Sequence, residues 1–286
     1  MLFFDLLIQG LLQGGIYALI AIGLTLVYGL LRILHIAHAG LYTLGGYIAV
    51  LVTNATGSFS LGLLVSMLGV GLIGMMIYRL IYQPILDKPP FVALIASIGL
   101  FIAMEEIYRI IFGPYGITFV DAPLQSALSI GGTYLRQCEI AAMVLAAVLI
   151  TALSLFTKYS RIGIAWRATV TDPGMAQSFG VDVIKVRYLN FFIGSAMAAG
   201  AGSMVALLNN LVEPTMGSVP SYKALAIIVL GGLGNVRGTL IAALVIGVTE
   251  AFGTIYLGNI LDRDAIAFTL LILVLMVKPT GLFTKG

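Results

Sequence analysis

The chain has 286 residues, of which 60% are hydrophobic and 9% charged, and its mean hydropathy is +1.09. A soluble domain is about a quarter charged, so water is not the main solvent, and a formal charge of +3 with no basic block excludes a nucleic-acid binder. The single cysteine, Cys138, excludes an intramolecular disulfide and a multi-cysteine metal site.

From Met1 the chain has neither a basic leader nor a small-residue cleavage pattern, so it reads as the start of a membrane helix and not as a signal peptide. Apolar runs bounded by polar residues or Gly/Pro breaks predict segments at about 6–34, 40–56, 60–82, 92–112, 139–157, 188–212, 222–235, 238–257 and 264–279. A spanning helix needs about 20 apolar residues, and the runs show none of the alternation of a β-barrel. The expected fold is an all-α membrane protein, a polytopic helical bundle of about eight to nine segments with one re-entrant or broken. No soluble domain is expected.

Basic residues set the orientation. With the N-terminus outside, the cytosolic ends collect eleven of the 15: Arg32, Arg79, Lys88, Lys158, Arg161, Arg167, Lys185, Arg187, Arg237, Lys278 and Lys285. The outer side keeps four, Arg109, Arg136, Lys223 and Arg263. The C-terminus then lies in the cytosol.

Taken along the chain, His35 and His38 stand three apart, a spacing that puts both rings on one face of a helix. A metal pair lacks a third ligand nearby, and polar residues at a helix break are the favoured reading. Glu105 precedes Arg109 by four, an ion pair of favourable order; an interfacial pair and a pathway lining both stay open. The neutral outer loop 113–138, with Gly131-Gly132, suits a short lid or hairpin. Glycines recur in the apolar runs, as in Gly194, Gly200 and Gly202, where small residues let helices approach closely. Residues 222–235 are short for a span and are followed by GGLGNVRG from Gly231 to Gly238. Both a short inward crossing and a re-entrant half-helix fit. Glu250 lies in an apolar run and has to face protein, water or headgroups; Lys223 is placed to pair with it or with Glu213.

Lys158 to Arg187 is the one long basic loop, and it parses into two short helices. The first runs from Ser160, as N-cap, to Thr171. Asp172 caps the second, Pro173 takes its first position and Gly180 suits the residue after its end. Helices this short need a surface to pack on, and Ile164, Trp166, Met175 and Phe179 offer apolar faces. Folding back on the bundle and docking a cytosolic partner both stay open. No GxxxxGK[ST] phosphate loop, GxSxG, HExxH or CxxC is present, so neither its own ATPase site nor a membrane-embedded enzyme is expected.

The pattern Gly163, Ala165, Arg167-Ala168, Asp172-Pro173, Ala176, Gly180-Val181 resembles the coupling loop of ABC-importer permeases of the branched-chain amino acid type. Gly14 to Ala49 is similar to the N-terminal signature of that family and Tyr222 to Phe252 to its C-terminal one. The N-terminal signature and short length resemble the smaller of the two permease types.

The resemblance implies one transmembrane permease domain over 1–286 with a coupling loop at 158–187, in a bacterial or archaeal cytoplasmic membrane. It makes Arg161, Gly163, Ala165, Arg167, Ala168, Asp172, Pro173, Ala176 and Gly180 the ATPase-coupling residues. It implies a homologous second permease, two ATPase subunits that bind the ATP, an external substrate-binding protein and membrane lipid as partners. No cofactor or metal of its own follows. Tyr17, Tyr28, His35, His38, Tyr42 and Glu250 are the candidates for the translocation pathway. The family usually has Asn-Phe-Ala-His-Gly-Glu where this chain has His35 to Gly40, so the substrate stays open among branched-chain or other hydrophobic amino acids, urea and short amides. A stand-alone secondary transporter or channel is the competing class; the interruption at Gly231 to Gly234 near Glu250 would suit it, and the docking loop argues against it.

Overall fold

In hydrocarbon each backbone N–H and C=O has to be bonded within its own segment, which makes long apolar runs helical. The computed structural model describes residues 2–130, 133–258, 262–278 and 281–283. Each of the nine predicted segments is a helix. In chain order they are α1 (Leu2–Leu31), α2 (His38–Thr56), α3 (Phe59–Ile77), α4 (Pro90–Phe112), α5 (Gln137–Tyr159), α8 (Val183–Asn209), α9 (Ser218–Gly231), α10 (Val236–Leu257) and α11 (Arg263–Val277). Two short helices, α6 (Arg161–Thr171) and α7 (Pro173–Ser178), lie in the basic loop. Strands β1 (Ala127–Ile130) and β2 (Thr133–Arg136) pair antiparallel, Ala127 opposite Arg136, giving the hairpin foreseen for the outer loop. Its glycines Gly131 and Gly132, and Lys285 at the C-terminus, lie outside the described residues.

Among the described residues six helices are long and apolar enough to cross a membrane: α1, α3 with the π-helical turn and short extension after it, α4, α5, α8 and α10. Helices α1 and α8 form the centre and are buried along most of their length, whereas α4 and α5 expose most of their surface. Glycine allows the central approaches. A Cβ on Gly247 would strike the backbone of Gly14, and one on Gly45 the backbone of Ala199, so α10 meets α1 and α2 meets α8 nearly backbone to backbone.

The interruption expected within Gly231 to Gly238 is a tight turn of residues 232–235: α9 ends at Gly231, and Asn235 caps α10 by accepting from the Gly238 N–H at 3.2 Å. Irregular backbone also lies at the other end of α9, in residues 210–217, and is matched by residues 32–37 ahead of α2. Both helices therefore start inside the bundle, His38 against Gly23 and Gly217 against Ala39 and Thr43. Helix α4 supplies the missing partners at these starts. Ser97 Oγ accepts from the Ala37 N–H at 3.0 Å, Tyr108 donates to the Gly40 carbonyl at 3.0 Å, and Ser218 donates to Glu105 at 2.7 Å. Broken backbone is tolerated at membrane depth where protein buries it.

The favoured reading of His35 and His38 as polar residues at a helix break holds, because α1 ends at Leu31 and α2 begins at His38. One sequence reading changes with this geometry. Arg109 pairs with Glu106, not Glu105, because Glu105 turns inward to Ser218 while Glu106 and Arg109 share the exposed face.

Candidate functional site

Two constellations lie at opposite ends of the bundle. At the first end α6 and α7 form a hairpin whose local chemistry follows the sequence. Ser160 Oγ accepts from the Gly163 N–H at 2.8 Å and Asp172 Oδ1 from the Met175 N–H at 2.9 Å, which caps both helices. Gly180 follows the end of α7 at φ +83, where its own N–H and that of Val181 bond back to Gln177 and Ala176. Gly163 lies against the Phe156 carbonyl and Thr157, and any Cβ there would collide with them. That close approach folds α6 back beneath α5.

The hairpin is tied to the bundle by a side chain. Trp166 Nε1 donates to Asn190 Oδ1 at 3.0 Å, and Asn190 Nδ2 donates to the Leu26 carbonyl at 2.9 Å, so α6 is joined through α8 to α1. The predicted residues divide accordingly. Gly163 and Ala176 are buried and Ala165 half-buried, whereas Arg161, Arg167, Ala168, Asp172, Pro173 and Gly180 are exposed. Ile164, Met175 and Phe179 are 53%, 61% and 83% exposed, leaving an apolar surface without a cover among the described residues. Just beyond, Asp182 caps α8; the Lys185 N–H, then the Lys185 side chain, hold its carboxyl below the ordinary range.

At the other end Tyr17, Lys223 and Glu250 meet. Lys223 Nζ donates to Glu250 Oε1, to Tyr17 Oη and to Asp264 Oδ1, each at 2.8 Å. Glu250 Oε2 accepts from Tyr17 at 2.8 Å and from Arg263 Nε at 2.9 Å. The Lys223 and Glu250 side chains are 4% and 0% exposed. Two cations and two carboxylates thus close a neutral network across α1, α9, α10 and α11. The Lys223–Glu250 pair was legible as two charges in apolar runs. Arg263 and Asp264 were not assigned to it, although Asp262-Arg263-Asp264 before the last apolar run was an available signal.

This network forms one wall of a cavity of about 310 Å³ that also takes in Tyr42, Gln13, Asn209 and Glu213. Deeper along α1 and α9 lies a void of about 10 Å³ beside His35 and His38, and Ile20 borders both spaces. His35 Nδ1 is 2.6 Å from Tyr82 Oη, and the two imidazoles are 5.7 Å apart. Tyr17 and Tyr42 line the cavity and His35 and His38 the void, whereas Glu250, fully buried behind Tyr17 and Lys223, lines neither. Tyr28 lies one to two turns further on, at the end of α1, and lines neither space. At Gly40, where the resemblance expects an acid, a Cβ would fall 2.8 Å from Met104 Sδ, so the methionine fills that volume.

Residues 6–277 match the family model described as branched-chain amino acid transport system / permease component. The chain is 32% identical to the high-affinity branched-chain amino acid transport system permease protein LivH of Escherichia coli K12, over 99% of this chain and 96% of that one. It is 27% identical to the permease protein LivM of the same system and organism, over 93% of this chain and 67% of LivM. Among solved structures, PsaBC from Streptococcus pneumoniae in complex with Fab matches with a TM-score of 0.50 at 14% identity, covering 95% of this chain and 91% of that one. That likeness concerns the fold alone.

Proposed function

The chain belongs to the branched-chain amino acid transport system permease family, and on that premise we propose that it is the smaller permease of an ATP-driven importer for branched-chain or other hydrophobic amino acids. The observation that carries the coupling role is the α6–α7 hairpin. It is anchored to the central helices through Trp166 and Asn190, yet presents Ile164, Met175 and Phe179 outward. A cytosolic ATPase subunit is the partner for that face, and ATP is bound there and not in this chain. Closure of the ATPase pair pushes on the hairpin, and the Trp166–Asn190–Leu26 connection passes the movement to α8 and α1. The whole chain acts as one permease domain.

The end bearing Lys158, Arg161, Arg167, Lys185 and Arg187 faces the cytosol, as the charge rule requires; the N-terminus is then outside. A homologous second permease completes the pathway, as LivH and LivM share one system by name, and an external binding protein delivers substrate. The route from the 310 Å³ cavity past Tyr17 and Tyr42 to His35 and His38 is this chain's half of the pathway, with Glu250 holding Tyr17 and Lys223 from behind. Neutral or zwitterionic solutes suit it, because the Lys223–Glu250–Arg263–Asp264 network is neutral and Glu213 adds only a single carboxylate to the cavity.

Reconstitution with the ATPase, second permease and binding protein tests the reading. Uptake that needs ATP is the expected result, and uptake by this chain alone driven by an ion gradient would refute it. Reversing charge, by Arg167→Glu or Asp172→Arg, is expected to weaken ATPase association by about tenfold while the bundle still inserts. Unchanged co-purification of the ATPase would remove these residues from the coupling surface.

A further inference from the structure

Between α5, α6 and α10, at the hairpin's end of the bundle, lies a groove of about 540 Å³ that the transport route does not use. Ile150, Leu153 and Leu240 make its walls, and Lys158, Arg167 and Arg237 face it. No carboxylate pairs with any of these three cations among the described residues. Lys158 instead lies 4.9 Å from the centre of the Tyr159 ring. Above the cations the groove opens onto outward-facing apolar surface: Val148 and Leu155 on α5 are 56% and 52% exposed, and Ile241 on α10 is 43% exposed.

We propose that this groove binds one anionic phospholipid, its phosphate held among Lys158, Arg167 and Arg237 and one acyl chain lying along α5 and α10. The charge arrangement selects the occupant. Lys158 is in the last turn of α5 and Arg237 in the first turn of α10, so both cations sit where these two spanning helices leave the hydrocarbon, at phosphate depth. A headgroup phosphate there accepts from the forked guanidiniums, and basic pockets between spanning helices are suited to anionic headgroups. A soluble anion would satisfy the cations but leave the adjoining apolar wall uncovered. The lipid would also touch α6 through Arg167, next to the hairpin. The inference rests on the membrane reading alone and is independent of what is transported.

Native mass spectrometry of the full chain, purified with its partner subunits and supplied with dioleoyl phosphatidylglycerol or dioleoyl phosphatidylcholine, tests it. The wild type is expected to retain phosphatidylglycerol preferentially. A Lys158→Gln/Arg237→Gln double variant is expected to lose about twenty-five-fold in that retention, two surface cations at about fivefold each. A control double variant, Arg79→Gln/Lys185→Gln, removes the same charge outside the groove and keeps the retention if the variants fold alike. The proposal is overturned by equal retention of both lipids, by an equal loss in the control, or by unchanged retention in the groove variant. Release of the ATPase subunits by the groove variant with lipid retention intact overturns it as well, since the groove is then a protein contact.

Discussion

The two ends of the bundle treat charge in opposite ways. Around Lys223, Glu250, Arg263 and Asp264 each charge has its counter-charge within 3 Å, and the network closes on itself across four helices. Around α6, α7 and the start of α10, the cations Lys158, Arg167 and Arg237 have no acid paired with them among the described residues, and the apolar side chains Met175 and Phe179 are exposed. A buried charge has to be neutralised from within, because desolvation costs several kcal/mol per ion. A rim charge has water, lipid or a partner for company and can stay unpaired. The closed end holds the bundle together, and the open end is the one to which the proposed partners are assigned.

Three experiments test this contrast, in falling order of effect. Glu250→Ala leaves Lys223 buried with only part of its counter-charge and is expected to cost about 3–5 kcal/mol, read as a lower unfolding midpoint in detergent. Replacing both Lys223 and Glu250 by Met should recover much of it. If Glu250→Ala is as stable as wild type, the closed end is not a structural network. Trp166→Ala is expected to cost about 2 kcal/mol, below the range for a fully buried tryptophan, and to do so locally. Residues 160–182 should become protease-sensitive and ATP-driven uptake should fall, with the unfolding midpoint nearly unchanged. An intact hairpin in that variant would mean that the anchor lies elsewhere.

The smallest effect concerns pH at Asp182. Its folded pKa is depressed below 3.8 by the Lys185 N–H and then the Lys185 side chain. The cap therefore stabilises the start of α8 above the unfolded pKa and is lost as pH falls through the folded one. Protection of the amides at residues 183–185, measured against the intrinsic exchange rate at each pH, should fall below about pH 4, and unchanged protection would show that the cap contributes nothing.

What could be read in advance followed the range of the interaction. Ser160, Asp172 and Gly180 were legible because a cap bonds three residues along the chain and a left-handed turn is set by one residue's own φ. Glu250 and Lys223 were legible as misfits in apolar runs, since hydrocarbon makes a charge demand a partner. Tyr17, Arg263 and Asp264 were not assigned to that pair, because positions 17, 223, 250 and 264 share no local pattern. Trp166 could be named as an apolar face, but its bond to Asn190 depends on how α6 folds beneath the bundle.

The sequence by itself determined the helical membrane class, the segment boundaries to within a few residues, the hairpin's caps and the family. Hydropathy, caps and motifs are written in neighbouring residues, and the bilayer enforces helix wherever a long apolar run lies. Tertiary structure alone decided that α2 and α9 begin inside the bundle, since the sequence marks a break between 34 and 40 but not its depth, which only the packing against α4 shows. It likewise decided that one end of the molecule closes its charges and the other leaves them open, because that depends on which helices glycine allows to touch.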